Sequence, residues 1–110
     1  MTDDTIILHG EPPSFAYLFW TSGMRRGESV TLKATGSTVG RRADAEVVLD
    51  DAAVSAEQAR IRREDAAWWL YDLASANTTR VGDVPITRHQ LSDRDRLTFG
   101  ETTMMFRLVG

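Results

Sequence analysis

The feature that most constrains the fold is a series of short segments rich in β-branched and aromatic residues, separated by turn residues about every 8 to 12 positions. This spacing is typical of strands in a sandwich or a barrel, so the sequence predicts an all-β domain. The first two segments flank a glycine-bounded turn and predict a hairpin. The predicted strands are residues 15–21, 28–34, 37–39, 46–49, 59–62, 68–72, 79–81, 96–99 and 102–108.

A helix is the competing prediction for residues 51–65, whose alanines, glutamates and arginines have good helix propensity. The apolar residues there form no stripe with a 3.6-residue period, whereas Ala59 and Ile61 fit the two-residue period of a strand. A strand is therefore the preferred interpretation. In the next predicted strand, Trp68 and Trp69 must face opposite sides, and the pattern leaves open which one faces the core.

The composition suits one globular domain, because 42% of the 110 residues are hydrophobic and 26% are charged. The paired prolines of HGEPPS exclude a helix or a central strand, so we expect a tail at residues 1–14 and a domain at 15–110. A net charge of -3 gives no general attraction for nucleic acid, and no apolar run is long enough for membrane insertion. Cysteine is absent and the N-terminus lacks a secretion signal, so we expect a cytoplasmic protein without disulfides.

Short motifs in a fixed order make the prediction more specific. The chain contains GR at 40–41, VVLDD at 47–51, VS at 54–55, then D, L, S, N and T within 72–78, and finally L, D, L, F and G within 91–100. In this order and spacing the sequence resembles a forkhead-associated (FHA) domain over about residues 16–108. The resemblance implies a two-sheet antiparallel β-sandwich of about 10–11 short strands, with binding loops at one end. It also implies a non-catalytic module without a cofactor, which binds phosphothreonine peptides or proteins in Ser/Thr-kinase signalling.

Residues on three predicted loops supply the chemistry that such a ligand needs. A phosphothreonine carries roughly -1.5 to -2 charges and three acceptor oxygens. Arg41 is the candidate counter-charge, Ser55 a hydroxyl donor, and Asn77 an amide that can hold an extended peptide backbone. Gly40 has no side chain where the backbone must turn tightly. By the resemblance, Arg41 and Ser55 match the family's phosphate-binding arginine and serine, and Asn77 matches its peptide-binding asparagine.

The chain departs from the family pattern within these loops. Gln58 stands where a histidine usually supports the loop from beneath. Ala56 and Glu57 replace the basic or amide residues that usually follow the serine, which removes a donor and adds an anion beside the phosphate. Ala76, like Ala56 a predicted peptide-binding position, lacks the hydroxyl group that usually contacts phosphate. Thr78 replaces a glycine and would resist a positive φ, by about 1 kcal/mol or more, if the loop requires one.

Three other interpretations stay open. Arg41 can be a solvated loop residue, with Ser55 and Asn77 as turn residues that hydrogen-bond to their own backbone. The substitutions at the rim also suit a phosphate-independent interaction or assembly module on the same scaffold. A hydrolase would need a histidine near Ser55, but His9 lies in the predicted tail and His89 in a polar segment predicted as a turn.

The remaining polar and glycine motifs predict turns. Asp50 and Asp51 predict a solvated turn rather than a metal site, because no histidine lies nearby and the spacing matches no calcium loop. Gly100 is predicted to be a turn glycine, because the residues around it lack the spacing of a nucleotide-binding loop. The sequence identifies neither the particular partner nor the oligomeric state.

Overall fold

The structure, a computed structural model, describes residues 15–110, so the predicted tail at 1–14 lies outside the described residues. Within that range the chain forms eleven strands and no helix, and therefore no helix that could cross a membrane. The strands are β1 (Phe15–Trp20), β2 (Ser29–Thr31), β3 (Ser37–Gly40), β4 (Val47–Val48), β5 (Ala59–Glu64), β6 (Ala67–Asp72), β7 (Arg80–Val81), β8 (Val84–Pro85), β9 (Arg88–Gln90), β10 (Arg96–Phe99) and β11 (Thr102–Val109).

The strands form two sheets. The first has six strands in the order β2-β1-β11-β10-β7-β8, and the second has five in the order β4-β3-β5-β6-β9. The predicted two-sheet architecture is confirmed, with one difference in strand direction. β3 and β4 run parallel, with Val39 opposite Val47, so the second sheet is mixed rather than purely antiparallel. The loop at 41–46 brings the chain back beside the end of β3 before the two-residue β4 begins.

Nine of the strands overlap the predicted ones, and the predicted hairpin of β1 and β2 is confirmed by pairing of Tyr17 with Thr31. The preferred interpretation of residues 59–62 as a strand is also confirmed, by β5. Strands β8 and β9 were not predicted. The prediction of a turn around His89 was wrong, because β9 is an edge strand that pairs with β6 through backbone groups and needs no apolar pattern.

The core lies between the sheets, where Trp68 of β6 and Phe106 of β11 have ring centroids 6.3 Å apart. Trp68 is buried, whereas Trp69 is only partly buried on the outer face of the second sheet. Each large apolar side chain in this core stabilises the fold by about 1.5–3 kcal/mol. The largest fully buried side chains include Leu18, Leu49, Ile61, Leu70, Leu97, Phe99, Met104 and Phe106.

Candidate functional site

Three loops that each follow a strand of the second sheet meet at one end of the sandwich, and we call them the apical loops. They comprise residues 41–46, 49–58 and 73–79. They lie together because β3 and β6 end at the edge where β5 begins: Val39 is opposite Ala59, which is opposite Asp72. The strand register therefore brings together segments that are more than thirty positions apart in the chain.

Arg41 is anchored to the middle apical loop but keeps most of its guanidinium free. Its backbone N–H donates to Ser55 O at 3.1 Å, and its side-chain Nε donates to Val54 O at 3.0 Å. Arg41 is exposed, and among residues 15–110 its two terminal nitrogens have no protein hydrogen-bond acceptor. A guanidinium held by Nε presents its remaining donors outward in a fixed orientation, which suits a multidentate oxyanion.

Ser55 joins two of the apical loops through its side chain. Its Oγ accepts a hydrogen bond of 2.9 Å from the backbone N–H of Ala76. A hydroxyl group that accepts in this way still has its own hydrogen to donate to a ligand. Since Arg41 and Ser55 contact one another through backbone, the structure places a cation and a hydroxyl donor side by side at the same rim.

Gln58 supports this arrangement from below. It is fully buried, and its Oε1 accepts a bond of 2.9 Å from the backbone N–H of Ser55. Its Nε2 donates to the buried hydroxyl of Thr79 at 3.2 Å, which ties the middle apical loop to the third. The glutamine therefore provides loop support at the position where the family pattern has histidine, and it does so with both ends of its amide.

Asn77 lies on the third apical loop and reaches the second. Its Nδ2 donates to Ala53 O at 2.9 Å, and within the part of the chain that the structure describes its Oδ1 accepts no protein hydrogen bond. The next residue, Thr78, has a φ of 40°, so this loop does require a positive φ at the position where the family pattern has glycine. Threonine is strained in this region because its branched Cβ crowds the backbone.

Gly40 is required by close packing beneath the rim. A Cβ added at this residue would lie 2.1 Å from the backbone oxygen of Ala56, much closer than van der Waals contact. The same oxygen accepts a bond of 3.3 Å from the backbone N–H of Arg42. The first two apical loops can approach this closely only because the residue at position 40 has no side chain.

Ala56, Glu57 and Ala76 line the exposed rim. Glu57 Oε2 accepts a bond of 3.2 Å from Arg42 NH1, and the guanidinium of Arg42 also contacts Asp44 at 3.0 Å. The anion that the sequence places beside the candidate site is thus paired with a cation. The two alanines contribute no side-chain donor, and the backbone N–H of Ala76 is already bonded to Ser55.

Asp72 organises the third apical loop, and the sequence analysis assigned it no role. Its Oδ1 accepts bonds from Ser75 Oγ at 2.5 Å and from the hydroxyl and backbone N–H of Thr79 at 2.8 and 3.1 Å. Burial alone would raise the pKa of Asp72, but these hydrogen bonds outweigh it and leave the pKa below its ordinary value. An aspartate followed by serine three positions later is a turn signal that could have identified this cluster.

Asp51 lies in the predicted turn, where Val54 N donates to its backbone oxygen at 2.9 Å, but its carboxylate is not simply solvated. Its Oδ1 accepts from Ala53 N at 2.8 Å, and its Oδ2 accepts from Glu101 N and Thr102 Oγ1, both at 2.8 Å. It therefore connects the middle apical loop to the turn between β10 and β11. Gly100 in that turn has a φ of 60°, and an added Cβ would lie 2.9 Å from Val54 Cγ2.

The histidine of the described chain does not form a hydrolytic site with Ser55. His89 Nε2 contacts Asp95 Oδ2 at 2.9 Å on strand β9, whereas Ser55 is bonded to Ala76 and Gln58. His9 lies outside the described residues. Within residues 15–110, therefore, no histidine contacts the serine hydroxyl as a hydrolytic triad requires.

The fold and the apical loops define a class of protein: a β-sandwich that presents a polar recognition surface on loops at one end. The FHA domain family matches residues 37–100, more than half of the chain, and the chain belongs to this family. The family prediction from motif order is therefore confirmed. An FHA domain from a structural and functional analysis of phosphothreonine-dependent FHA domain interactions superposes with a TM-score of 0.78 and 30% identity, covering 84% of this chain and 95% of that domain.

Two curated relatives are similar over most of this chain. The glycogen accumulation regulator GarA of Mycobacterium tuberculosis is 29% identical over 99 residues, which cover 90% of this chain and 61% of GarA. The oxoglutarate dehydrogenase inhibitor of Corynebacterium diphtheriae is 31% identical over 96 residues, which cover 86% of this chain and 67% of the inhibitor. The alignment thus spans less than two thirds of the length of GarA.

Proposed function

We propose that this chain is a phosphothreonine-dependent peptide-binding module that acts in Ser/Thr-kinase signalling. The observation that carries the proposal is the guanidinium of Arg41, held by Val54 O with its terminal nitrogens open beside the hydroxyl of Ser55. A phosphate dianion needs this combination of a fixed cation and neutral donors. Residues 15–110 would act as the binding domain, and the protein would work in the cytoplasm, where Ser/Thr kinases produce such ligands.

The roles of the site residues follow from their contacts. Arg41 supplies the full counter-charge, and Ser55 donates its hydroxyl hydrogen to a phosphate oxygen. Asn77, fixed by its bond to Ala53 O, offers Oδ1 to a backbone N–H of the bound peptide. Ala56 and Ala76 lie against the ligand as rim positions without side-chain donors. Gln58 keeps Ser55 in place from below.

The binding free energy that these contacts can supply is sufficient for a signalling interaction. Hydrogen bonds to a charged group contribute about 1.5–3 kcal/mol each, so two from Arg41 and one from Ser55 supply roughly 5–9 kcal/mol. A micromolar complex requires about 8 kcal/mol in total. Contacts to the peptide backbone can therefore complete an affinity in this range even though Ala76 provides no hydroxyl group.

The experiment compares binding of matched peptide libraries that contain either threonine or phosphothreonine at one fixed position, measured by calorimetry or fluorescence anisotropy. We expect binding of the phosphorylated library only. Arg41→Ala should weaken it by roughly a hundredfold or more, since two charge-assisted bonds are lost. Arg26→Ala is the matched control, because Arg26 is exposed on the loop between β1 and β2, and it should change affinity less than about twofold. Ala76→Thr should improve affinity by adding a hydroxyl donor.

The rim substitutions support a second candidate, a phosphate-independent interaction or assembly module on the same scaffold. Ala76 has already committed its backbone N–H to Ser55, and Glu57 places a carboxylate at the rim beside Arg42. Equal affinity for the threonine and phosphothreonine libraries, unchanged by Arg41→Ala, would contradict the first proposal and favour this one. In either case the domain acts by binding and not by catalysis, as the names of the curated regulator and inhibitor relatives suggest.

A further inference from the structure

The outer face of the second sheet carries a cluster of cationic and aromatic side chains, which we call the basic aromatic face. The register places Arg60 of β5, Tyr71 of β6 and Arg88 of β9 opposite one another in one row. The adjacent row on the same face contains Arg62 opposite Trp69, because alternate residues of a strand point to the same side. Three neighbouring strands therefore assemble five residues that the sequence pattern leaves unconnected.

These side chains stack on one another and remain accessible. The rings of Trp69 and Tyr71 are stacked with centroids 6.4 Å apart. The guanidinium carbon of Arg62 lies 5.4 Å from the Tyr71 ring centroid, and that of Arg88 lies 5.5 Å from the Trp69 centroid. Arg62 and Arg88 are exposed, while the two rings are only partly buried. Stacking orders the arginines, so less conformational entropy remains to be lost on binding.

The charge on this face is positive although the whole chain carries a net charge of -3. Glu64 is the acid within the rows, and it binds Arg62 Nε at 2.7 Å and the hydroxyl group of Tyr71. Arg60 is bonded to Thr38 Oγ1 at 3.1 Å. The side chain of Arg88, in contrast, makes no hydrogen bond or ion pair within residues 15–110, so its guanidinium donors are available to a partner.

We infer that the basic aromatic face is a second docking surface, and that its partner is an acidic protein segment. Carboxylates complement the exposed arginines, and Trp69 and Tyr71 provide flat apolar area at low entropic cost. Tryptophan, tyrosine and arginine are the residues most enriched at the energetic centres of protein interfaces. The chain as a whole is negatively charged, so the long-range field of a nucleic acid would repel it. A short acidic segment interacts mainly with charges within about one Debye length, and on this face those charges are positive.

The surface lies close enough to the apical loops for one partner to occupy both. Tyr71 directly precedes Asp72, from which the third apical loop starts, and Thr38 is two residues from Gly40. An extended segment advances about 3.3 Å per residue, so a few residues suffice to connect the rim with the first row. The inference does not depend on the phosphate site, because none of its residues belongs to the apical loops.

Titration with a model acidic peptide tests this inference. The probe is a capped peptide of alternating glutamate and alanine, about twelve residues or roughly 40 Å long when extended. The matched probe replaces each glutamate with glutamine. Binding is followed by NMR on the three tryptophan indole N–H groups, of which Trp69 should shift, whereas the buried Trp20 and Trp68 act as internal references. We expect saturable binding of the glutamate peptide alone, weakened by salt.

Substitutions separate this surface from general charge effects. Arg62→Gln with Arg88→Gln should weaken binding of the acidic peptide by about fivefold or more. The control pair, Arg26→Gln with Arg94→Gln, changes the net charge equally on exposed loops and should have less than about a twofold effect. If the double variant unfolds, Arg88→Gln alone is used, because the side chain of Arg88 makes no hydrogen bond within residues 15–110.

The inference would be overturned by an equal loss in the control pair, by equal binding of the glutamine peptide, by an unmoved Trp69 signal, or by tighter binding of a thymidine oligonucleotide of similar length. Arg41→Ala distinguishes the two sites. If it abolishes binding of the acidic peptide, the peptide occupies the apical loops and the docking surface is refuted. If phosphopeptide binding fails while the acidic peptide still shifts Trp69, the phosphate proposal is refuted and the docking surface stands.

Discussion

Replacing Gln58 with methionine removes the support beneath the apical loops without changing the volume of the core. Methionine is unbranched and nearly the same size, so it can fill the same fully buried space. The substitution deletes the bond of 2.9 Å from Ser55 N and the bond of 3.2 Å to Thr79 Oγ1. Thr79 keeps its hydroxyl bond to Asp72, whereas the backbone N–H of Ser55 loses its protein acceptor.

The expected change in the free energy of unfolding follows from the loss of these two hydrogen bonds. A donor left without a partner costs about 1–3 kcal/mol, and the lost bond to the threonine hydroxyl adds about 0.5–1.5 kcal/mol. Burying a thioether instead of an amide offsets part of this cost. We expect the free energy of unfolding to fall by about 2 kcal/mol, which lowers the melting temperature by roughly 8–16 °C for a domain of this size. Phosphopeptide affinity should fall as well, because Ser55 is no longer held.

Urea unfolding followed by tryptophan fluorescence measures the free energy of unfolding. The slope of this free energy against urea concentration should be the same for the variant and the wild type. Gln90→Met is the matched control: the same chemical change on the exposed edge strand β9 should cost less than about 0.5 kcal/mol. A cost for Gln58→Met no larger than that of the control would refute the reasoning. It would mean that the middle apical loop is held by its backbone contacts alone.

Three further changes test other parts of the same site. Gly40→Ala should lower the free energy of unfolding by about 1–3 kcal/mol, because the added Cβ would collide with the backbone oxygen of Ala56. Equal urea midpoints for the variant and the wild type would contradict this steric argument. Asp72 has a lowered pKa, so its stabilising effect is complete above the unfolded pKa of about 4 and is lost as pH falls through the lower folded value. Asp72→Asn should therefore destabilise the domain near neutral pH and differ less from wild type below about pH 4, whereas a pH-independent difference in urea melts would exclude this linkage. Thr78→Gly should raise the free energy of unfolding by up to about 1 kcal/mol, because glycine accepts a φ of 40° without strain, and a lower urea midpoint would show that the threonine side chain contributes more than the strain removes.

The strands that could be predicted are those whose side chains alternate between core and solvent. β5 shows this most clearly, since Ala59 and Ile61 are buried and fit a two-residue period despite the helix propensity around them. β8 and β9 could not be predicted in this way. They lie at sheet edges, where backbone pairing with a neighbour defines the strand and the side chains carry little pattern.

The part of the candidate site that could be predicted is the part that depends on which residue types follow one another along the chain. Arg41, Ser55 and Asn77 were proposed from their side-chain chemistry and the family resemblance. In the structure, Arg41 and Asn77 both donate to the segment 53–55, which contains Ser55. Asp51 and Asp72 were not recognised, because each carboxylate acts through backbone and hydroxyl donors that converge only after the loops have folded. A carboxylate in a turn and one that connects two loops look the same in sequence.

The sequence by itself determined the all-β class and the family, and it supplied the candidate residues for phosphate binding, because periodicity and motif order are local properties of the chain. Only the tertiary structure decided that Gln58 is a buried support, that Glu57 is paired with Arg42, and that three arginines and two aromatic rings share one sheet face. These relations depend on strand register and on which loops share an end. Both are properties of long-range pairing, in which the contacting residues are separated by many positions and no local pattern specifies the partner.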